Sequence, residues 1–329
     1  MSFEAFRIHQ QEKDVRAGFE QLELDDLTEG DVVIKVHYSD INYKDALAAT
    51  GTARILRVDS LNGGIDLSGV VTHSESDRFS VGDKVLVCGA LLSETVDGGY
   101  SEYARISSDS IVPLPEGLTL HESMALGTAG FTAALAMIRF EENGQDPANG
   151  PMIVTGATGG VGSIAIAMLA SKGYDVVAMT RKSDQHDYLC ELGASDFVDR
   201  AALNMGSRPL EKALWGGAID NVGGPVLSWL TRTVRSWGSI ASIGNAGGIK
   251  LETTVFPLIL RGVSLLGINS IEMSNDLRNR AWSRLATDLK PAHLDMIAGR
   301  TIDFDKLPEA FNAYIDGSVT GRTVVKIGD

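Results

Sequence analysis

The sequence predicts an α/β protein in which a doubly wound parallel sheet follows a β-rich first part. Three observations support this prediction. A glycine-rich turn joins a short apolar strand to an apolar helix within residues 151–172. Strands and helices alternate after that turn, which is typical of a parallel sheet covered by helices. Before it, short apolar or alternating runs are separated by Gly, Asp and Ser turns, which is typical of antiparallel strands.

Length, composition and charge narrow the class of protein. The chain has 329 residues, of which 44% are hydrophobic, so about two domains with apolar cores are expected. The net charge of −14 argues against nucleic acid and anionic membranes as partners, because both require a basic face. The sequence has no uninterrupted apolar run of roughly 18 residues, so no membrane span is predicted. The first residues lack a secretory pattern. Cys88 and Cys190 are the two cysteines, which fits a cytoplasmic protein better than a disulfide framework.

The elements of the first part are predicted from period-two alternation and turn residues. From Met124 the spacing becomes helical and rich in small residues, so a helix is expected over 124–136. The predicted strands before it are Phe3–Ile8, Val32–Tyr38, Gly69–His73, Lys84–Val87 and Tyr100–Ile106.

The second part continues as alternating strands and helices. After the glycine turn, the predicted strands are Asp175–Met179, Phe197–Val198, Ala218–Val222, Ser239–Ile243 and Val263–Ile268. The predicted helices are Gly160–Lys172, His186–Leu192, Val226–Val234 and Val255–Leu260. Two amphipathic helices (Leu277–Leu289 and Leu307–Tyr314) and a last strand (Thr323–Ile327) are expected to return to the first domain.

The glycine turn itself indicates a dinucleotide-binding site. Residues 157–162 fit the pattern A-x-G-x-x-G, with a strand before them and a helix and second strand after them. Gly159 allows the backbone to approach a pyrophosphate, and Gly162 allows the helix to pack closely on the strand. The helix then directs its free N–H groups at the phosphates. An ordinary glycine-rich turn is the alternative, and the complete βαβ context disfavours it.

The end of the second strand indicates which dinucleotide binds. Enzymes that use NAD place an acidic residue there to bind the ribose 2′-hydroxyl. This chain instead has Thr180, Arg181 and Lys182, whose cations attract a 2′-phosphate that a carboxylate would repel. NADPH is therefore the predicted cofactor. A solvated cationic loop is the alternative explanation of the same residues.

Several further segments resemble one family. Asn42-Tyr43-Lys44-Asp45 and Gly64-Ile65-Asp66-Leu67-Ser68-Gly69 are similar to motifs of the zinc-free quinone oxidoreductase branch of the medium-chain dehydrogenase/reductase superfamily. Residues 127–133, 260–270, 281–285 and 321–326 resemble its NADPH-dependent acryloyl-CoA reductase subgroup, so the resemblance runs nearly end to end. One departure is Leu61-Asn62-Gly63, where the family usually has a proline before the glycine.

The resemblance implies a domain layout. A β-rich GroES-like catalytic domain is expected at 1–123 and 270–329, around a Rossmann-type NADPH-binding domain at 124–269. It also implies a homodimer, in which the strand Val263–Ile268 could pair with its copy; the alternative is that this strand only completes its own sheet.

The resemblance also predicts a site without metal. The positions that carry catalytic zinc ligands in zinc-dependent members hold Asn42, Ile65 and Thr128, which is not a zinc ligand set. A hydride-transfer site of this kind suits an activated acceptor, either a conjugated C=C beside a carbonyl or a quinone.

The family pattern assigns roles to individual residues. Tyr43 is expected beside the nicotinamide, where its phenol could position a ligand or donate a proton; packing at a domain interface is the alternative. Asn42 and Asp45 are candidate catalytic residues or structural caps, and Arg322 is a candidate substrate ligand or a surface ion-pair partner. The remaining expected cofactor contacts are Thr128, Thr158, Gly159, Gly160, Val161, Thr180, Arg181, Lys182, Arg200, Asn245, Ile259 and Ser270.

The leading functional prediction is NADPH-dependent reduction of acryloyl-CoA to propanoyl-CoA. An NADPH:quinone oxidoreductase and a non-catalytic NADPH-binding protein are the alternatives. A basic track for the CoA phosphates would favour the first, and Lys44, Arg54 and Arg57 are compatible with one.

Overall fold

The computed structural model describes residues 2–11 and 14–328. Its strands are β1 (Phe3–Gln11), β2 (Asp14–Leu22), β3 (Val32–Asp40), β4 (Ser60–Asn62), β5 (Asp66–Ser74), β6 (Lys84–Cys88), β7 (Tyr103–Ile106), β8 (Val112–Pro113), β9 (Met152–Thr155), β10 (Val176–Thr180), β11 (Ala194–Asp199), β12 (Gly217–Asp220), β13 (Ser239–Ser242), β14 (Ser264–Gly267), β15 (Arg300–Asp303) and β16 (Thr323–Lys326). Its α-helices are α1 (Tyr43–Thr50), α2 (Leu120–Glu142), α3 (Gly160–Ser171), α4 (His186–Glu191), α5 (Gly224–Thr233), α6 (Phe256–Arg261), α7 (Asn275–Leu285), α8 (Leu294–Ile297) and α9 (Leu307–Ile315).

The chain divides into two compact units. The first unit comprises Met1–Thr128, Ile271–Ala286 and Leu294–Asp329, and the second comprises Ala129–Ser270 and Thr287–His293. Two C-terminal segments, Ile271–Ala286 and Leu294–Asp329, belong to the first unit. The domain boundaries predicted after residues 123 and 269 stay predictions.

The first unit contains two sheets. One has the strand order β2-β1-β4, and the other has the order β15-β16-β3-β5-β6-β8, with β7 also paired to β3. Alternate residues of β3 (Val32, Ile34 and Val36) are fully buried in one apolar core, as expected for a strand with one face inward. Phe6 of β1 and Phe311 of α9 pack into the same core. Each such side chain contributes about 1.5–3 kcal/mol by leaving water.

The second unit is a six-stranded sheet of order β11-β10-β9-β12-β13-β14, and every strand pair in it is parallel. The chain winds outward from β9 in both directions, so the strand order reverses between β9 and β12. Ligands of such sheets bind at the carboxyl ends of the strands beside this switch point. The predicted fold class, a Rossmann-type sheet joined to a β-rich GroES-like domain, is confirmed.

The local predictions succeed best where apolar periodicity is strong. The predicted helix at Gly160–Lys172 is α3, which ends one residue earlier, and the predicted strand at Ser239–Ile243 is β13. The strand β2 was not predicted, because DVRAGFEQL is polar and most of its residues are half-buried or exposed. The strand β15 was not predicted for the same reason, since only one of its four residues is even half-buried.

The helix α2 contains a sharp break. Gly127 has φ 50° and ψ −156°, a conformation that a residue with a Cβ rarely adopts. By length and composition α2 could cross a membrane, yet 89% of its most apolar window is buried inside the protein. That burial is typical of the core helix of a folded domain.

Candidate active site

The glycine turn of the second unit forms a close junction between β9 and α3. Gly159 is the N-cap of α3. A Cβ on Gly162 would lie 2.3 Å from the carbonyl oxygen of Gly156, so only glycine allows this packing. A Cβ on Gly159 would lie 3.3 Å from the same oxygen, which is tight but less severe. Gly160 and Val161 open the first turn of α3, where backbone N–H groups lack helical partners and can receive a pyrophosphate.

A buried polar network supports this turn at the carboxyl ends of β9 and β12. The hydroxyl of Thr155 donates to Asp220 Oδ1 over 2.7 Å, and the side-chain Nδ2 of Asn221 donates to the carbonyl oxygen of Thr155 over 2.8 Å. The N–H of Gly223 donates to Asp220 Oδ2 over 2.8 Å. Burial raises the pKa of Asp220. Among the described residues, the buried Oδ1 of Asn221 has no hydrogen-bond partner, so it remains available to a ligand donor.

This network was not predicted from the sequence. Its signal was the run Asp220-Asn221-Val222-Gly223-Gly224 at the end of a predicted strand. Gly223 and Gly224 have φ values of +72° and +56°, so both adopt a backbone that requires glycine.

The predicted 2′-phosphate residues follow β10 directly. Thr180 is buried, Lys182 is half-buried and Arg181 is exposed. The backbone N–H of Lys182 donates to the hydroxyl of Thr180 over 3.0 Å, which fixes the turn. Burial lowers the pKa of the Lys182 ammonium. Arg200 directly follows the last residue of β11, so it also lies at the carboxyl edge of the sheet, and its charge partly opposes the raised pKa of Asp220.

The other residues predicted to contact the cofactor lie at several places in this unit. Thr158 is buried in the glycine turn, Asn245 is exposed after β13, and Ser270 follows β14 by three residues. Ile259 lies on α6 with 68% of its surface exposed. Its role as an apolar wall for the cofactor stays a prediction.

The first unit has a buried cluster of carboxylates at the ends of its strands. Because β3 and β5 are antiparallel neighbours, the end of β3 (Asp40) lies beside the start of β5 (Asp66). Asp45 joins them from the first turn of α1, and all three side chains are at most 1% exposed. Burial raises the pKa of Asp40, and raises the pKa of Asp45 to about 7. Asp45 accepts from the backbone N–H of Asn42 (2.8 Å) and of Ile65 (3.0 Å).

Arg322 is enclosed in this cluster. Its Nη2 lies 2.6 Å from Asp40 Oδ2, and its Nη1 donates to Asn42 Oδ1 over 3.0 Å. Its Nε donates to the carbonyl oxygen of Ala125, two residues before the break at Gly127. The side chain is 3% exposed, so contact with a substrate would require breaking this ion pair. The structure therefore does not support the substrate contact predicted for Arg322.

Tyr43 is not part of the buried cluster. It is the first residue of α1 and is 43% exposed, and among the described residues its phenol makes no hydrogen bond. The next residue, Lys44, pairs with the buried carboxylate of Glu94, which also lies 2.9 Å from Arg57 Nη2. Two of the three cations proposed for a CoA track therefore share one carboxylate, which offsets only part of their positive charge. Sequence reasoning missed Glu94, because nothing local links it to Lys44.

The positions that hold zinc ligands in zinc-dependent members form hydrogen bonds in this chain. Asn42 and Thr128 both donate to Asp66, and Ile65 contributes an apolar side chain. Within residues 2–11 and 14–328, no group of three or more His, Cys, Asp or Glu side chains is arranged to hold a metal. This donor set does not fit zinc, which prefers thiolate and imidazole ligands.

Comparison with known families matches both units. Residues 28–116 match the family described as "Alcohol dehydrogenase GroES-like domain", and residues 160–287 match the family described as "Zinc-binding dehydrogenase". The second description concerns the family as a whole and does not alter the donor set above.

Similar proteins match over nearly the whole chain. The chain is 44% identical to the "Putative quinone oxidoreductase YhfP" of Bacillus subtilis, over 99% of both chains. It is 43% identical to the "Acrylyl-CoA reductase AcuI" of Ruegeria pomeroyi, over 95% of this chain and 94% of that protein.

Solved structures agree with the fold. The YhdH oxidoreductase of Salmonella enterica, solved in complex with NADP, has a TM-score of 0.95 and 42% identity, and the match covers 99% of this chain and 100% of that one. The Bacillus subtilis YhfP structure, solved with NAD bound, has the same TM-score of 0.95 at 43% identity, covering 99% and 100%.

Proposed function

This chain belongs to the zinc-free quinone oxidoreductase branch of the medium-chain dehydrogenase/reductase superfamily, and we propose that it is an NADPH-dependent reductase of acryloyl-CoA. The observation that carries the proposal is the pairing of a dinucleotide turn with two cations after β10, in a chain 43% identical to an acrylyl-CoA reductase. The balanced reaction converts acryloyl-CoA, NADPH and a proton into propanoyl-CoA and NADP⁺.

The second unit holds the cofactor in this proposal. The first turn of α3 and its N-cap Gly159 receive the pyrophosphate, because the backbone N–H groups at this end of the helix lack helical partners. Arg181 and Lys182 bind the 2′-phosphate, with Arg200 beside them at the carboxyl edge. Thr180, Asn245, Ile259 and Ser270 are proposed as further contacts. When bound, NADPH supplies the hydride for the β carbon of the conjugated C=C.

The first unit supplies the residues that act on the acyl group. Tyr43 is the proposed contact, because its phenol is exposed and its helix is fixed by the Asp45 cap. The phenol either positions the thioester or donates the proton that the α carbon receives. Asn42, Asp45 and Arg322 are proposed to position this helix and its neighbours, since all three are engaged in the buried cluster.

A quinone is the second candidate acceptor, and one observation favours it. Lys44 and Arg57 share the carboxylate of Glu94, which leaves less free positive charge for CoA phosphates than the sequence suggested. A quinone needs no such charge.

We also propose a homodimer formed through β14. This strand is at the edge of the second unit's sheet, and the neighbouring α6 exposes Phe256, Leu258 and Leu260 by 45%, 43% and 60%. Pairing β14 with the same strand of a second copy would cover these side chains and satisfy the free strand edge.

Free thiols at Cys88 and Cys190 support a reducing, cytoplasmic location.

The test is an assay of purified protein with three substrate combinations. Oxidation of the reduced cofactor is followed by absorbance in three mixtures. The first contains NADPH and acryloyl-CoA, the second contains NADH and acryloyl-CoA, and the third contains NADPH and a benzoquinone. Fast oxidation with NADPH and acryloyl-CoA alone is expected. Fast oxidation only with the quinone would replace the acyl-CoA proposal by the quinone one. NADPH binding without turnover of either acceptor would favour a non-catalytic binding protein.

A further inference from the structure

The carboxylate of Asp66 is a hydrogen-bond centre for two positions of the first unit. Its Oδ2 accepts from the side-chain amide of Asn42 and from the backbone N–H of Thr128, each over 2.8 Å. Its Oδ1 accepts from the hydroxyl of Thr128 over 2.6 Å. Asp66 is fully buried, so these bonds form away from water, where they are strongest and most costly to lose. One carboxylate thus fixes the side chains at positions 42 and 128.

The same bonds determine which groups donate and which accept. A carboxylate can only accept, and a hydroxyl has a single hydrogen. Because that hydrogen points to Asp66, the oxygen of Thr128 acts as an acceptor toward any further partner. The amide of Asn42 is fixed in the same way, since its nitrogen donates to both Asp40 (2.7 Å) and Asp66, and its oxygen accepts from Arg322.

Gly127 explains how the centre is built. A Cβ at Gly127 would lie 2.0 Å from Asp40 Oδ2 and 2.9 Å from Asp66 Oδ2. The break of α2 at this glycine therefore allows the backbone to approach both carboxylates, and it places the N–H and the hydroxyl of the next residue on Asp66.

We propose that Asp66 is a positioning residue that sets the hydrogen-bond polarity of Thr128, so that this hydroxyl accepts from an N–H of the bound dinucleotide. The nicotinamide carboxamide offers such an N–H donor, whereas a ribose hydroxyl could turn and accept instead. The centre occupies positions where zinc-dependent members bind metal, and it organises them through hydrogen bonds alone. The inference rests on the proposed function in one respect, namely that NADPH binds with Thr128 among its contacts.

The variant Asp66→Asn tests the proposal with almost no change in shape. Its amide oxygen can still accept from Asn42 and from the Thr128 N–H, but its NH₂ faces the Thr128 hydroxyl. That hydroxyl must then accept from the NH₂ and turn its own hydrogen outward. The dissociation constant of NADPH, measured by cofactor fluorescence without substrate, should rise about tenfold, which is the effect of losing one well-made hydrogen bond.

A double-mutant cycle with Thr128→Ala separates positioning from general damage. If Asp66 acts through the hydroxyl, Asp66→Asn should change NADPH affinity less than about threefold once the hydroxyl is absent. Thr128→Ser keeps a hydroxyl at this position and should bind NADPH as the wild type does. The same tenfold loss in the Thr128→Ala background would overturn the proposal, as would unchanged affinity in the single Asp66→Asn variant.

A matched control comes from a second buried carboxylate of the same unit. Asp97 is 1% exposed and accepts from Arg7, from the N–H of Asn62 and from the N–H of Thr28, outside the proposed site. Asp97→Asn should lower the melting temperature and leave NADPH affinity unchanged. If it weakens NADPH binding as Asp66→Asn does, loss of a buried charge explains both and the proposal fails.

A variant that fails to fold, or a wild type without turnover, still leaves a decisive binding measurement. If Asp66→Asn does not fold, Thr128→Val and Thr128→Ser decide the matter: the first should weaken NADPH binding about tenfold and the second should not. Equal affinities in those two variants would overturn the proposal. If the wild type binds NADPH and does not reduce acryloyl-CoA, the proposed function fails while every binding measurement above still tests Asp66.

Discussion

The guanidinium of Arg322 lies 2.6 Å from the carboxylate of Asp40, and both side chains are buried. The pair joins the residue before β16 to the last residue of β3. The strands β16 and β3 are antiparallel neighbours in one sheet. The same arginine donates to the carbonyl oxygens of Met124 and Ala125, just before the break in α2. One side chain therefore holds together three segments that carry the buried cluster.

Removing this cation should be strongly destabilising. Arg322→Met leaves Asp40 buried without its counter-ion, which typically costs about 3–5 kcal/mol of unfolding free energy. The double variant Arg322→Met, Asp40→Asn removes the unpaired charge as well and should recover part of that loss. Urea unfolding of both variants measures the difference. A single variant within about 1 kcal/mol of wild type would show that the pair contributes little.

The free energy of unfolding should depend on the protonation of Asp45. Burial raises the pKa of this carboxyl to about 7, whereas an aspartate in an unfolded chain titrates near 3.9. Between these values the folded state keeps a proton that the unfolded state has released. The contribution of Asp45 to stability therefore falls as pH rises from about 4 to 7, by up to about 1.4 kcal/mol per pH unit.

Asp45→Asn checks this dependence, because an amide does not titrate. The variant should lose less stability than the wild type as pH rises through that window. The comparison is made by urea unfolding at several pH values between about 4 and 8, with the wild type at each pH as reference. Parallel curves for the two proteins would show that Asp45 releases no proton in this range.

The two glycines of the dinucleotide turn should respond differently to alanine. Gly162→Ala places a methyl group 2.3 Å from a backbone oxygen, so we expect the free energy of unfolding to fall by about 1–3 kcal/mol. We expect this variant to lose NADPH binding as well. Gly159→Ala meets the same oxygen at 3.3 Å and should fold while binding NADPH weakly. Thermal unfolding and cofactor fluorescence of both variants separate the two effects. Equal stability of the pair would contradict the packing described for α3.

The choice of cofactor should depend on Arg181. Arg181→Ala removes a charge-assisted contact to the 2′-phosphate, so the KM for NADPH should rise about tenfold while the KM for NADH stays unchanged. Arg208→Ala is the control, because this exposed arginine of the same unit pairs with Glu211. If both KM values rise together in Arg181→Ala, this residue does not recognise the 2′-phosphate.

The proposed dimer can be tested at the edge of the sheet. Leu265 on β14 is 37% exposed, and Leu265→Lys would place a charge at the proposed interface. The wild type should sediment as a dimer and this variant as a monomer that still binds NADPH. Val81→Lys, at an apolar residue of the first unit that is 69% exposed, should leave the dimer intact. A wild type that sediments as a monomer would contradict the proposed dimer.

The sequence predicted those features that depend on neighbouring residues. The turn before α3 and the cations after β10 are each encoded within a few positions, and apolar periodicity marks the elements around them. The helix α1 was not predicted, but a structural cap was one of the two roles predicted for Asp45, which accepts from the backbone N–H of Asn42 three residues earlier.

The sequence did not reveal the contacts that depend on tertiary folding. Asp40 and Asp66 come together only because β3 and β5 pair in antiparallel register, and Arg322 reaches them from near the end of the chain. A single sequence cannot distinguish a buried aspartate from one in a surface turn. Glu94 was missed for the same reason, since its partners Lys44 and Arg57 are distant along the chain.

The most direct test of the proposed reaction follows the transferred hydrogen itself. NADPH carrying deuterium at both C4 positions of the nicotinamide is incubated with the protein and acryloyl-CoA, and the product is analysed by NMR. We predict propanoyl-CoA with one deuterium on C3, because the hydride adds to the β carbon of the conjugated acceptor. Deuterium on C2, propanoyl-CoA without label, or no propanoyl-CoA at all would contradict the account.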